Sequence, residues 1–140
     1  MNAITEQQLV PWSPFQDLGA GTPSFGDIEI ESRACDTLVV TLPFEDGKLR
    51  LGFNDVRAFT TSWDGDPNPF ITNEESAKRP SDLLKVEQSR WLASNHFNLD
   101  VESGTAVRAE PWRHFYIVAQ ERSLQIAARD DVEATWLPAT

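Results

Sequence analysis

Residues 38–53 read Leu38-Val-Val-Thr-Leu-Pro-Phe-Glu-Asp-Gly-Lys-Leu-Arg-Leu-Gly-Phe53, and this stretch decides the fold class. Two apolar runs, Leu38 to Phe44 and Leu49 to Phe53, flank Glu45-Asp46-Gly47-Lys48. Asp-Gly supplies two residues tolerant of positive φ, as a type I′ turn requires. A turn centred there sets Glu45 opposite Lys48 and pairs Phe44 with Leu49, Leu42 with Leu51 and Val40 with Phe53. One face of the hairpin is then wholly apolar. A slip of one residue would turn every one of those side chains to the other face. The stretch predicts antiparallel sheet.

Working outward, His114–Gln120 and Ser123–Arg129 predict a second hairpin across Glu121-Arg122. Pairing outward there matches Ala119 with Leu124, Ile117 with Ile126 and Phe115 with Ala128, again apolar. Val56–Trp63 reads as a strand rich in β-branched and aromatic residues. Ile28 and Ile30 alternate with acids, and Val132 to Leu137 adds an edge strand ending at Pro138. Leu84 and Val86 suggest a strand up to Gln88, after which Ser89 caps a short helix from Arg90 to about Phe97 that buries Trp91 and Leu92. One helix from Ser81 to His96 is the competing reading. Residues 64–81 and 98–112 read as loops, the second with a short strand near Val101. Residues 1–26, punctuated by Pro and Gly, read as an irregular arm pinned by Trp12, Phe15 and Phe25. The prediction is a single domain over 1–140 of the α+β class, mainly antiparallel β-sheet. It has six to eight strands, hairpins at 38–53 and 114–129, and one short helix near 89–97.

Charge narrows the function. The chain carries 22 acidic and 12 basic residues, a formal net charge of −10. Residues 1–70 hold 11 acids and 4 bases, so the first half is the more acidic. Such a balance repels nucleic-acid phosphate and anionic membranes. It steers a basic protein partner inward. One cysteine, Cys35, cannot form an internal disulfide. The opening Met1-Asn-Ala-Ile-Thr-Glu-Gln-Gln lacks the basic and apolar regions of an export signal, so a reducing cytoplasm is the expected location.

Catalytic and cofactor motifs are absent from the sequence. The two histidines, His96 and His114, lack metal-ligand spacing, and His114 reads as a polar rim or hydrogen-bonding side chain. Asp64, Asp66, Asn68 and Glu75 fall at positions 1, 3, 5 and 12 of an EF-hand-like frame. Pro69, however, stands where the frame needs glycine, and turn-rich loop is the better reading. There is no nucleophile elbow, Cys35 sits beside Asp36, and the glycines at 19, 21 and 26 precede a strand instead of opening a helix. No cofactor is expected.

Ser89-Arg-Trp-Leu92, together with Trp112-Arg-His-Phe-Tyr-Ile-Val-Ala119 and Leu124-Gln-Ile-Ala-Ala128, resembles small bacterial single-domain proteins. Some of these are similar to immunity proteins of polymorphic toxin systems. The resemblance covers the C-terminal sixty residues or so and rests on packing motifs. It implies tight binding and occlusion of a cognate toxin, with no catalysis.

The function expected is therefore a non-catalytic binding or inhibitory protein whose partner is another, basic protein. Exposed indoles beside acids are natural interface anchors. They point to Trp63 with Asp64 and Asp66, to Asp46 and Asp55 on and after the first hairpin, and to Trp112. The alternatives are an enzyme or small-ligand binder with a pocket in the β-core and His114 at its mouth, an acidic mimic of DNA, or a structural subunit of a bacterial or phage assembly.

Overall fold

The computed structural model describes residues 7–13, 28–33, 36–44, 47–63, 70–94, 112–119 and 122–138. In chain order the elements are β1 (Gln8–Pro11), β2 (Glu29–Arg33), β3 (Thr37–Phe44), β4 (Gly47–Phe53), β5 (Ala58–Trp63), α1 (Asn73–Ala77), β6 (Leu83–Glu87), α2 (Arg90–Ser94), β7 (Trp112–Val118), β8 (Arg122–Arg129) and β9 (Val132–Pro138). The strands make a five-stranded sheet, β1-β6-β7-β8-β5, and a four-stranded sheet, β2-β3-β4-β9. Every neighbouring pair is antiparallel. The chain thus adopts the β-rich α+β class its patterning predicts.

Among the described residues there are nine strands, against the expected six to eight. The addition, β1, lies inside the segment read as an irregular arm. Pro11 reads as a breaker, but Gln8–Pro11 pairs only with β6 at the border of the sheet, where proline is tolerated. From the same arm, Trp12 packs as expected, its ring 4.8 Å from that of Phe115 and 6.0 Å from that of Phe53. Phe15 and Phe25 lie outside the described residues, as do residues 98–111 with the expected strand near Val101.

Both hairpins form, each two residues out of the predicted register. Phe44 pairs with Gly47, Leu42 with Leu49, Val40 with Leu51 and Leu38 with Phe53. Ile117 pairs with Leu124 and Phe115 with Ile126, and the Ala119 amide donates to Arg122 O at 2.8 Å. In each case the connection has moved one residue towards the N-terminus. For the first hairpin the physical reason is visible at Gly47. Its backbone lies against β9, so that a Cβ there would strike Leu137 O and come within 2.8 Å of Trp136 Cζ2. Gly47 is therefore required for the close approach of a third strand, which overrides the turn preference of Asp-Gly. Parity survives because side chains alternate with period two, and the apolar face is the expected one.

The two sheets pack through that face. Leu38, Val40, Leu42, Leu49, Leu51 and Phe53 from one sheet meet Leu83, Phe115, Ile117, Leu124, Ile126 and Ala128 from the other, all buried. Each large apolar side chain so enclosed contributes about 1.5–3 kcal/mol. Two of the links by which the chain crosses between sheets, 54–57 and 130–131, bond to each other. Asn54 Nδ2 donates to Asp131 O at 3.1 Å, and the Arg129 amide donates to Asn54 O at 3.3 Å. Beside them Val56 N donates to Asp36 O at 2.9 Å, with Asp36 and Asp55 both in left-handed backbone, φ 59° and 50°.

A third layer covers the opposite face of the five-stranded sheet. Here α1 corrects the reading of 64–81 as loop throughout. Thr72 Oγ1 accepts from the Glu75 amide at 3.0 Å while the Glu75 carboxylate accepts from the Thr72 amide at 2.9 Å, a complete capping box. The two readings of 81–96 resolve as strand then helix. β6 pairs with β7, Gln88 turns the chain at φ 57°, and Ser89 Oγ caps α2 by accepting from Leu92 N at 3.1 Å. Trp91 and Leu92 are buried as expected, against Ala127.

Candidate protein-binding surface

Of the residues expected to bind a partner, the three that are described, Asp55, Trp63 and Trp112, fall in two places. Trp63 closes β5 with 56% of its surface exposed, and the Arg122 guanidinium lies 4.9 Å over its ring. Phe59, on the same face of β5, is 43% exposed. These are the two large hydrophobic side chains left exposed among the described residues. Their position explains them. Phe59 stands beside Ile126 and Thr61 beside Leu124, both wholly buried, so β5 continues the core-facing pattern of its sheet. A five-stranded sheet set against a four-stranded one overhangs, and β5 is the last strand of the larger sheet. The result is an aromatic ledge.

Trp112 begins β7 on the other face and is half-buried against the cluster of Trp91, Leu92 and Ala127. Its ring has Arg57 at 5.6 Å and Arg129 at 5.7 Å, and its carbonyl accepts from Arg113 NH1 at 3.1 Å. Asp55, exposed, pairs with Arg129 at 2.8 Å. Asp55 and Trp112 therefore share one cluster at the crossover between sheets, with two arginines over the indole. Trp63 stands at the opposite end of β5, about 15–20 Å along the strand. Asp46, Asp64 and Asp66 lie outside the described residues.

The interior of the outer layer holds a polar chain of bonds that sequence patterning missed. His114, completely buried, engages Ser89 Oγ through Nδ1 at 2.7 Å and Gln125 Oε1 through Nε2 at 2.7 Å. With Oε1 as acceptor, Nε2 carries the ring proton and the Ser89 hydroxyl donates to Nδ1. The Trp91 ring meets the imidazole edge-on at 5.0 Å. Burial pushes the His114 pKa down to about 4, against a smaller opposing effect of the Gln125 hydrogen bond. His114 is thus an interior hydrogen-bonding residue, which corrects its placement on a polar rim or at a pocket mouth. Serine, histidine and a third polar side chain in contact also make up many hydrolytic sites. Here both ring nitrogens are engaged inside the protein, and the third member is an amide that cannot stabilise an imidazolium as a carboxylate does.

A second set of bonds ties the outer layer down. Arg90 reaches both carboxylate oxygens of Glu75, each at 2.8 Å. Buried Gln7, ahead of β1, donates to Phe70 O at 2.9 Å and accepts from Arg90 N at 2.8 Å. The Arg90 hydrogen bond comes first among the causes that hold the Glu75 carboxyl below its usual range. Glu75, the last position of the EF-hand-like frame, thus has both oxygens engaged by an arginine. The spacing Thr72-x-x-Glu75 was the signal that could have revealed α1. Nothing in the local sequence signals Gln7.

Among the described residues, no group of three or more histidine, cysteine, aspartate or glutamate side chains is placed to hold a metal ion. An open depression of about 280 Å³ is lined by Ala77, Arg79, Pro80, Ser81 and Asp82. Arg79 there bonds Asp82 at 2.9 Å and Ser76 O at 2.7 Å. No helix among the described residues is long and apolar enough to cross a membrane. Comparison with protein-family models, with curated proteins and with solved structures finds no match.

Proposed function

We propose that this chain is a non-catalytic binding protein of the cytoplasm that occludes a basic protein partner, in the manner of an immunity protein of a polymorphic toxin system. The observation that carries the reading is the aromatic ledge of Phe59 and Trp63 on β5, which continues in sequence into Asp64-Gly-Asp66. Aromatic anchors contribute residence time, and neighbouring acids accelerate the encounter with a basic surface. The net charge of −10 adds long-range steering towards such a partner.

The test is affinity capture from the native host at low salt, comparing the wild-type chain with Trp63→Ala and with Asp64→Asn/Asp66→Asn. A stoichiometric basic protein should be held by the wild type, released as salt rises, and lost from Trp63→Ala. The double aspartate variant should bind more slowly and with a flatter salt dependence. Equal capture by all three chains would remove this surface from the interaction. A clean eluate from the wild type would remove the basic partner itself.

A further inference from the structure

Four sheet edges exist among the described strands, and three of them carry features that deter pairing. β1 ends in Pro11, β9 holds Glu133 and ends in Pro138, and β2 presents Glu29, Glu31 and Arg33 in alternation. β5 reads Ala58-Phe-Thr-Thr-Ser-Trp63, with no charge, no proline and no glycine. Uncharged, regular, β-forming edges are templates for another strand. The ledge of Phe59 and Trp63 lies along this same strand.

We infer that β5 is the seat of a second copy of this chain, the two β5 strands pairing antiparallel about a two-fold axis at Thr61. The register follows from the strand itself. With Thr61 opposite Thr61, Phe59 of each copy stands opposite Trp63 of the other. Both exposed aromatics are then covered by cross-strand aromatic pairs on one face. Symmetry sets the sense, since two identical edges that pair across a two-fold axis run antiparallel. Six residues per strand make a small interface, so the dimer is weak and forms at high concentration. It goes beyond the partner reading and does not depend on it. A partner using Trp63 would compete with the second copy.

Sedimentation of the purified full chain from about 5 to about 500 µM tests this. The wild type should pass from monomer to dimer. Each copy carries −10, so added salt should strengthen the dimer, the opposite sign to that expected for a basic partner. Thr61 is exposed, so Thr61→Lys leaves the fold intact by circular dichroism while apposing two lysines on the axis. It should weaken dimerisation at least about tenfold, and Thr61→Asp should do the same. Mixing the two variants should restore a heterodimer. A wild type that stays monomeric at every concentration and salt overturns the inference. So does a Thr61→Lys chain that dimerises as well as the wild type, or a mixture that stays monomeric.

Discussion

The two faces of the five-stranded sheet solve different problems with the same strands. Towards the four-stranded sheet, β7 and β8 present Phe115, Ile117, Leu124 and Ile126, all wholly buried and apolar. Towards the helices, the alternate positions present His114, Tyr116 and Gln125, with Tyr116 Oη 3.2 Å from Ser76 Oγ. The first face gains from buried apolar area, and parity alone decides which side chains reach it. The second needs particular atoms at particular distances, since a buried polar group without a partner costs about 1–3 kcal/mol. The dry face makes the sheet stable, and the polar face dictates where α1 and α2 settle on it.

The sharpest way to break this comparison is to open the dry face. Phe115→Ala removes a ring in contact with Phe53 and Trp12 and should cost about 3–5 kcal/mol in chemical denaturation, with no change in the pH profile. The polar face should respond to acid. His114 binds a proton in the unfolded chain near pH 6.5 but in the folded chain only near pH 4. The unfolded state therefore holds more protons between those values, and stability should fall by about 3 kcal/mol as pH drops through that window. His114→Gln should abolish that slope while lowering stability at neutral pH. A wild-type curve flat across that window would show that the imidazole is not enclosed as described. The smallest effect should come from the rim of the polar face. Glu75→Gln keeps an acceptor for the Thr72 amide but loses the charge facing half-exposed Arg90, and should cost about 1 kcal/mol. The depressed Glu75 pKa puts that contribution above pH 4.5, fading as pH falls below it, a lower window than that of His114.

Most of the fold was legible because it rests on parity. Val40, Leu42, Leu49 and Leu51 announce one buried face whichever turn joins them, so class and hairpins could be read outward from residues 38–53. Exact register was not legible, because Gly47 answers to Trp136 and Leu137, strand neighbours far away in sequence. The polar face was hidden for the same reason. Ser89, His114 and Gln125 come from three separate stretches of chain, and nothing local to any of them shows that the other two converge. For the binding surface, Trp63 was legible as an indole at a strand end. Its separation from Trp112 was not, because only the pairing of β5 with β8 sets the two at opposite ends. Asp55 looked available in sequence, whereas its left-handed backbone and its bond to Arg129 belong to the crossover between sheets.

The pairing of β4 with β9 bears on how the molecule comes into being. Phe53 meets Val132 and Gly47 meets Pro138, so one side of β4 waits for a strand made roughly eighty residues later. On the ribosome, the β3–β4 hairpin can form early from local contacts, but the backbone edge of β4 that β9 covers stays unpaired for several seconds of synthesis. Folding of this chain is consequently a late, concerted closure, and the interval before β9 emerges is when a nascent copy is most exposed to capture by chaperones or by its neighbours.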